Sequence, residues 1–243
     1  MNYKKCVYAF IISNIALVGT TTFPLEKVSS NEYRTYYWHN GAEIVVLNHA
    51  SLTNPEAIKG LDCIVNAANK LLKHDGGLSA AIAQHAGPEL QQISDQIVAE
   101  SHIDHIHPGQ AVATPPFKYQ ADGIKKIVHT VGPNTTIASE KKDMKSLLQW
   151  SYLWAIDRAT MAETLTLKNK SISLPACSRI GFPAISTGSF GYDIREATPI
   201  AIKTILEFID KNPGKIKEIR FFLTGDHSDR DYGVYIQTLD AYK

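Results

Sequence analysis

The fold is decided by the stretch from residue 62 to residue 78, which reads DCIVNAANKLLKHDGGL. Cys63, Ile64 and Val65 form a short apolar run typical of a strand buried on both faces, and Gly76 and Gly77 precede an alanine-rich helical pattern. Glycine lets the backbone approach a ligand closely, and the free N–H groups at a helix start favour negative charge. The stretch therefore predicts an anion site between a strand and a helix.

A second stretch, from residue 180 to residue 192, reads IGFPAISTGSFGY and repeats this order of features. An apolar strand leads into a loop of small residues, and a helix is expected to begin near Ile194. One such loop can hold a phosphate, and two can enclose a diphosphate. Because ligands of open α/β sheets bind at the carboxyl ends of the strands, both loops are expected to line one cleft.

The rest of the chain alternates strand patterns with helical patterns. Tyr33–Trp38 and Glu43–Asn48 are predicted to be strands around a turn at Asn40 and Gly41. The segment from Thr166 to Cys177 is interpreted as an insertion near the cleft or the sheet edge. Alternation of this kind predicts an α/β fold with a mainly parallel sheet covered on both faces.

Size and composition favour one globular domain. The chain has 243 residues, of which 44% are hydrophobic and 20% charged. A formal net charge of +1 gives no overall attraction for nucleic acid, so no nucleic-acid partner is expected. Cys6, Cys63 and Cys177 show no metal spacing and predict no disulfide framework, and Cys63 is expected to be a small core residue.

Three histidines at positions 102, 105 and 107 form an H-x-x-H-x-H pattern that invites a metal interpretation. No carboxylate or cysteine follows at a matching spacing, so we expect no metal here, and no cofactor elsewhere. His129 is expected to be a core or rim histidine with its hydrogen bonds satisfied.

The first 24 residues have the shape of a secretory signal peptide or of an N-terminal extension. Lys4 and Lys5 precede an apolar stretch from Cys6 to Gly19, which is short for a bilayer span and lacks a clear A-x-A cleavage pattern after it. Export has a modest edge over a cytoplasmic location, the compartment stays undetermined, and no membrane association is expected of the mature form.

Four motifs in order resemble those of the macrodomain, the ADP-ribose-binding α/β module. They occupy Val65–Asn69, Leu72–Leu78, Val128–Pro133 and Pro183–Tyr192. The similarity covers residues 33–243 and is closer to the general and viral type than to MacroD-type or zinc-dependent members. It implies a three-layer α/β/α fold with a mixed, mostly parallel sheet, and a monomer is expected.

The resemblance implies a role for each loop. The first loop would present backbone N–H groups to one phosphate, and the second would wrap the diphosphate, with its aromatic residue against the distal ribose. Asn66 and Asn69 would face that ribose. Asn69 would form a hydrogen bond with a ribose hydroxyl, and Asn66 would have a partly structural role. The residues expected to bind ADP-ribose are Asn66, Asn69, Gly76, Gly77, Leu78, Ser186, Thr187, Gly188, Ser189 and Phe190.

Catalysis would involve Asn69, His74 and Asp75. The imidazole of His74 would either orient a ribose hydroxyl and relay a proton, or pack within the loop. Asp75 replaces a glycine of the family motif and would either act as a general base or cap the following helix, and capping is favoured. Ser79 stands where MacroD-type hydrolases carry an aspartate.

The adenine end departs from the family pattern. Ser51, followed by Leu52, replaces the aspartate of the usual G-D-[IV]-T segment, and Thr224 stands where an aromatic residue is common. Asp226 is expected to compensate as the partner of the adenine amino group.

The expected function is ADP-ribose binding with hydrolysis of mono-ADP-ribose from protein carboxylates, or deacetylation of O-acetyl-ADP-ribose. The alternative is a non-catalytic ADP-ribose reader. In either case the partner is ADP-ribose or an ADP-ribosylated protein.

Overall fold

The computed structural model describes residues 24–100, 105–168 and 170–242. Within them the strands are β1 (Glu26–Ser30), β2 (Arg34–His39), β3 (Ala42–Leu47), β4 (Cys63–Ala68), β5 (Ala111–Thr114), β6 (Lys126–Val131), β7 (Glu163–Leu167), β8 (Lys170–Leu174), β9 (Arg179–Pro183) and β10 (Glu218–Phe222). The helices are α1 (Pro55–Ile58), α2 (Gly77–Ala86), α3 (Glu89–Glu100), α4 (Met144–Thr160), α5 (Ile194–Lys211) and α6 (Ser228–Asp240), with a 3-10 turn at Phe117–Asp122.

Eight strands form one mixed sheet in the order β1-β2-β3-β10-β9-β4-β6-β5. The four central pairs, from β3 to β6, are parallel, and the pairs at both edges are antiparallel. Helices cover both faces, which confirms the predicted three-layer α/β/α architecture.

Strand β3 shows why the central strands read as continuous apolar runs. Ile44 and Val46 pack into the core beneath α4, α5 and α6, whereas Val45 and Leu47 pack into the core beneath α1, α2 and α3. Successive side chains of a strand point to opposite faces, so a strand covered on both sides must be apolar at every position.

The hairpin β2–β3 is confirmed, with a turn in which Asn40 and Gly41 both have positive φ. Strand β1 pairs with β2 and lies before residue 33, so the sheet begins earlier in the chain than expected. Of the predicted N-terminal segment, residues 1–23 lie outside the described residues.

The interpreted insertion is a β-hairpin, β7–β8, that forms a sheet of its own. Leu167 of this hairpin packs with Ala68, Leu72 and Val131, so the hairpin supports the loop that follows β4. No helix in the described ranges is both long and apolar enough to cross a bilayer.

Cys63 is a buried core residue as expected, but the expectation of no disulfide is wrong, because Cys63 and Cys177 form one. Their Cα atoms lie 6.0 Å apart although 114 residues separate them in sequence. Cys63 opens β4 and Cys177 precedes β9, and these strands are neighbours in the sheet. Spacing along the chain could not show this, because the contact arises only when β4 and β9 lie side by side.

Candidate functional site

The loops that follow β4 and β9 meet in one cavity of about 410 Å³ at the carboxyl ends of these parallel strands. Gly77 and Leu78 line it from the first loop, and Gly188 and Phe190 from the second. Both loops share an edge of the sheet because β4 and β9 are adjacent and run in the same direction. Of the predicted binding residues, the cavity contains Asn69, Gly76, Gly77, Leu78, Ser186, Gly188, Ser189 and Phe190.

The start of α2 suits an anion. Gly76 caps this helix without any side-chain hydrogen bond, and no acidic residue lies in its first turn. By contrast, α5 starts with Asp193, whose side chain accepts from the N–H of Arg195 at 2.7 Å. Among the described residues no side-chain carboxylate therefore caps the first N–H groups of α2, which open into the cavity. Gly77 has φ +54°, a conformation that glycine adopts without strain.

The second loop carries strain at the cavity wall. Ser186 has φ +68°, and its buried Oγ has no hydrogen-bond partner among the described residues. Gly132, after β6, lies so close that a Cβ on it would be 2.1 Å from Ser186 Oγ. A strained residue with an unpaired hydroxyl is typical of a functional site. Within the described part of the chain, the N–H groups of Gly188 and Ser189 also lack a protein acceptor.

Asn69 lines the cavity and also organises the first loop. Its Oδ1 accepts from the N–H groups of Leu71 and Lys73, and its Nδ2 donates to the carbonyl of Lys73 at 2.7 Å. The second Nδ2 bond, to Asp75 Oδ1, is long at 3.5 Å. A ribose hydroxyl can replace this weak bond without disturbing the loop.

Asp75 does not cap α2, so the favoured structural interpretation is wrong. The N-cap is Gly76, and the exposed carboxylate of Asp75 lies at the cavity wall beside Asn69. The extended backbone of Gly76 places Asp75 one residue too early to reach the N–H groups of the first turn.

Neither Asn66, which was expected to face the ribose in a partly structural role, nor His74 lines the cavity. Asn66 is fully buried because it lies two residues after Ile64 on β4 and so points to the same face, toward α2 and α3. Its Nδ2 donates to His129 Nδ1 at 3.0 Å and to Ser79 Oγ at 3.1 Å. Through these buried hydrogen bonds the Asn66 side chain anchors the first loop to the core.

His74 belongs to the same buried network, in which Nδ1 lies 2.8 Å from Ser79 Oγ and Nε2 lies 2.9 Å from Ser94 Oγ. Burial lowers the pKa of His74 below its ordinary value. Both ring nitrogens are engaged with hydroxyls, so no nitrogen is left to face a ribose. Of the two interpretations of His74, the structure supports packing within the loop.

His129 is confirmed as a satisfied core histidine. Asn66 donates to its Nδ1, and its Nε2 lies 2.9 Å from Thr114 Oγ1. Burial lowers the pKa of His129 well below its ordinary value, and the nearby His74 lowers it further. The network therefore holds both imidazoles neutral.

The segment from Gly132 to Glu140 forms a third wall that the sequence analysis missed as part of the site. Thr135 donates through its N–H and its Oγ1 to the carbonyl of Phe190, both at 2.9 Å. Glu140, which is buried, accepts from the N–H of Asn134. The V-G-P end of the third motif could have indicated this wall, because a glycine after a strand often marks a place where another part of the backbone comes close.

The three residues expected to bind adenine do not line this cavity; they are Ser51, Leu52 and Asp226. Ser51 bonds to Thr53 at 2.8 Å, and Leu52 is fully buried in the core beneath α1 and α2. Asp226 is exposed in the loop between β10 and α6. Thr187 turns back on its own loop, where its Oγ1 donates to the carbonyl of Ala184.

The histidine cluster shows no metal geometry in the described region. The rings of His105 and His107 meet edge to face with centroids 4.5 Å apart, and His102 lies outside the described residues. No group of three metal-ligating side chains occurs in the ranges that the structure covers.

Comparison with known proteins agrees with this geometry. Residues 65–201, more than half of the chain, match the family model described as Macro domain. An uncharacterised protein of Pyrococcus horikoshii is 32% identical over 182 residues, covering 73% of this chain and 86% of the relative. A Streptomyces griseus macro domain-containing protein is 32% identical over 170 residues, covering 70% of this chain and 84% of the relative.

Solved structures show the same fold. The macrodomain of Oceanobacillus iheyensis with ADP superposes with a TM-score of 0.69 at 27% identity, covering 86% of this chain and 95% of that one. A variant of that macrodomain with ADPR gives a TM-score of 0.69, also at 27% identity, over 86% of this chain and 97% of that one.

Proposed function

The chain belongs to the Macro domain family, and from this premise we propose that it binds ADP-ribose in the cavity between its two loops. The observation that carries the proposal is that Asn69, Gly77 and Gly188 line one cavity. Similar macrodomains hold ADP or ADPR, which makes the same ligand class the natural occupant here.

The diphosphate would lie between the start of α2 and the loop that follows β9. The first N–H groups of the helix would face one phosphate, and the N–H groups of Gly188 and Ser189 would face the other. The buried hydroxyl of Ser186, which has no hydrogen-bond partner in the described ranges, would gain an acceptor in a phosphate oxygen. The distal ribose would then rest between Asn69 and Phe190.

A calorimetric titration tests the binding proposal. ADP-ribose is expected to bind at least about tenfold more tightly than ADP, because only ADP-ribose carries the ribose that reaches Asn69. AMP, with a single phosphate, is expected to bind more weakly than either. Equal affinity for all three nucleotides would contradict the placement of the diphosphate and the distal ribose.

We further propose that the protein hydrolyses the ester that joins ADP-ribose to a protein carboxylate. Asp75 is the acidic side chain of the cavity wall, and it lies 3.5 Å from Asn69 Nδ2, where the distal ribose is expected. A water would form the new C–O bond while the ester C–O bond breaks, and its proton would pass through Asp75 to the departing oxygen. Asn69 and Phe190 would hold the ribose in position for attack.

The non-catalytic reader is the second candidate, and one observation favours it. His74, the other expected acid-base group, is buried with both nitrogens engaged, which leaves the reaction to Asp75. Incubation with a mono-ADP-ribosylated protein separates the two candidates. Release of ADP-ribose by the native protein, lost in Asp75→Asn while ADP-ribose still binds, supports the hydrolase. Binding without release supports the reader.

A further inference from the structure

A second cavity of about 440 Å³ adjoins the first at the proposed ribose end. The two cavities share Asn69, Lys73, Asp75, Gly132 and Phe190. A group attached to a ribose bound beside Asn69 and Phe190 would therefore lie next to the second cavity. Beyond the shared residues, the second cavity is lined by Lys70, Leu71, His105, Asn134 and Ile137.

The walls of this second cavity are apolar and fixed. Leu71 is 50% exposed although it is a large apolar residue, and Ile137 lines the same cavity. Lys70 offers its aliphatic stem, because its ammonium group lies 2.6 Å from the buried carboxylate of Glu140. The other oxygen of Glu140 accepts from the N–H of Asn134 at 2.7 Å, which ties the two walls together.

The two lysines that line this cavity, Lys70 and Lys73, are already paired with carboxylates. Lys73 Nζ lies 2.6 Å from Asp95, as Lys70 Nζ does from Glu140. Asp75 adds a negative charge at the junction of the two cavities. A strongly acidic group thus finds no unpaired lysine here, whereas an apolar side chain finds Leu71 and Ile137.

We propose that the second cavity binds the polypeptide beside the modified residue, and selects an apolar side chain next to the attachment point. This inference rests on the proposed binding of ADP-ribose in the first cavity. Its volume lies within the range of about 300–1,000 Å³ that is usual for ligand sites. An acetyl group would leave most of it unfilled, so O-acetyl-ADP-ribose should use only the first cavity.

The test compares dissociation constants for free ADP-ribose and for two peptides that carry ADP-ribose on a glutamate, one flanked by leucines and one by serines. The leucine peptide is expected to bind about tenfold more tightly than the serine peptide. In Leu71→Asp this preference should vanish while the affinity for free ADP-ribose changes less than about twofold. Val28→Asp is the matched control, because Val28 is 66% exposed on the edge strand β1 and lines neither cavity.

The outcomes separate the two proposals. Equal binding of both peptides, or a preference that survives in Leu71→Asp, overturns the second-cavity inference and leaves ADP-ribose binding intact. Failure of free ADP-ribose to bind overturns the proposed function itself.

The disulfide carries a second and independent inference about where the protein folds. Cys63 and Cys177 are both buried, and they join the two strands that carry the ligand loops. Strands β4 and β9 pair directly at only two positions, Cys63 with Ile180 and Ile64 with Gly181. A covalent bond at the start of so short a ladder strengthens the link between the two strands, at the end opposite to the ligand loops.

We infer that the protein folds in an oxidising compartment outside the cytosol and acts there. Disulfides of this kind form and persist in secreted and periplasmic proteins, and they are rare in the reducing cytosol. Lys4 and Lys5, followed by the apolar stretch from Cys6 to Gly19, agree with export.

Thiol trapping in fractions of the source cells tests this inference on the full chain. Cells are quenched with acid, and a maleimide-polyethylene glycol reagent is added under denaturing conditions to Cys6→Ser, in which only Cys63 and Cys177 remain. We expect the protein outside the cytosol, unlabelled before reduction and doubly labelled after it. A cytosolic location, or label before reduction, overturns the inference.

Discussion

At the scale of single residues, the close approach of Gly132 to Ser186 constrains the second loop of the cavity. A Cβ on Gly132 would lie 2.1 Å from Ser186 Oγ and 2.6 Å from Ile185 Cγ2, so no side chain fits there without moving the second loop. The positive φ of Ser186 is a second constraint on the same loop.

The variant Gly132→Ala is therefore expected to weaken ADP-ribose binding about tenfold, because overpacking of this size costs roughly 1–3 kcal/mol and displaces the loop. Calorimetry with the purified variant measures this loss. Gly233→Ala is the matched control, since nothing lies within 4 Å of a Cβ there. Unchanged affinity in Gly132→Ala would contradict the close approach.

The buried histidines make stability depend on pH. Both have a lowered pKa in the folded state, so the unfolded chain binds more protons as the pH falls below about 6.5. The free energy of unfolding therefore decreases as the pH falls, by up to about 1.4 kcal/mol per pH unit for each histidine. Above pH 7 this contribution is fully present.

Urea unfolding between about pH 5 and pH 8, a range that lies on both sides of the ordinary histidine pKa, measures this effect. The variant His74→Gln should show a shallower loss of stability below about pH 6.5 than the native protein. His107→Gln, at an exposed position, should keep the native slope. A native slope in His74→Gln would show that His74 is not held neutral by burial.

At the scale of elements, the second loop depends on the start of α5. Asp193 accepts from the N–H of Arg195 at 2.7 Å and so fixes the first turn of the helix that follows this loop. The variant Asp193→Ala should lower the free energy of unfolding by about 1 kcal/mol in urea. Asp143→Ala is the control, because Asp143 caps α4 without a side-chain bond. Equal effects in both variants would contradict a capping role.

Elements with strong local patterns could be predicted from the sequence. The hairpin around Asn40 and Gly41 was predicted correctly because its turn residues and flanking strands lie close together in the chain. Strand β1 was missed because every residue in it is exposed, which leaves no burial pattern to read. The β7–β8 hairpin was recognised only as an insertion.

The sequence predicted that the two backbone loops lie together, but it did not predict the contacts of the buried side chains near them. The two glycine-containing loops were placed together because the carboxyl ends of parallel strands define one edge. The partners of His74 and Asn66 were not foreseen. Asn66 and His129 are 63 residues apart, and only the pairing of β4 with β6 brings them together.

At the scale of the whole molecule, one covalent bond spans almost half of the chain. The disulfide between Cys63 and Cys177 closes a loop of 114 residues that includes α2, α3, α4 and the β7–β8 hairpin. In the chain-entropy account, a closure of this length stabilises the folded state by about 5 kcal/mol, since it restricts the unfolded chain.

Reduction is therefore expected to lower the melting temperature by roughly 10 °C for a domain of this size. Calorimetric scans of Cys6→Ser with and without a reductant measure the shift, and the double variant Cys63→Ala/Cys177→Ala should melt near the reduced protein. Identical melting of the oxidised and reduced forms would contradict a stabilising disulfide.

The account depends above all on two backbone loops that meet around a diphosphate, and amide NMR shifts during an ADP-ribose titration test this most directly. The amides of Gly76, Gly77, Gly188 and Ser189 are predicted to shift together, with one dissociation constant, while those of β1 stay unchanged. Shifts confined to one loop, or two different dissociation constants for the two loops, would contradict a single shared site.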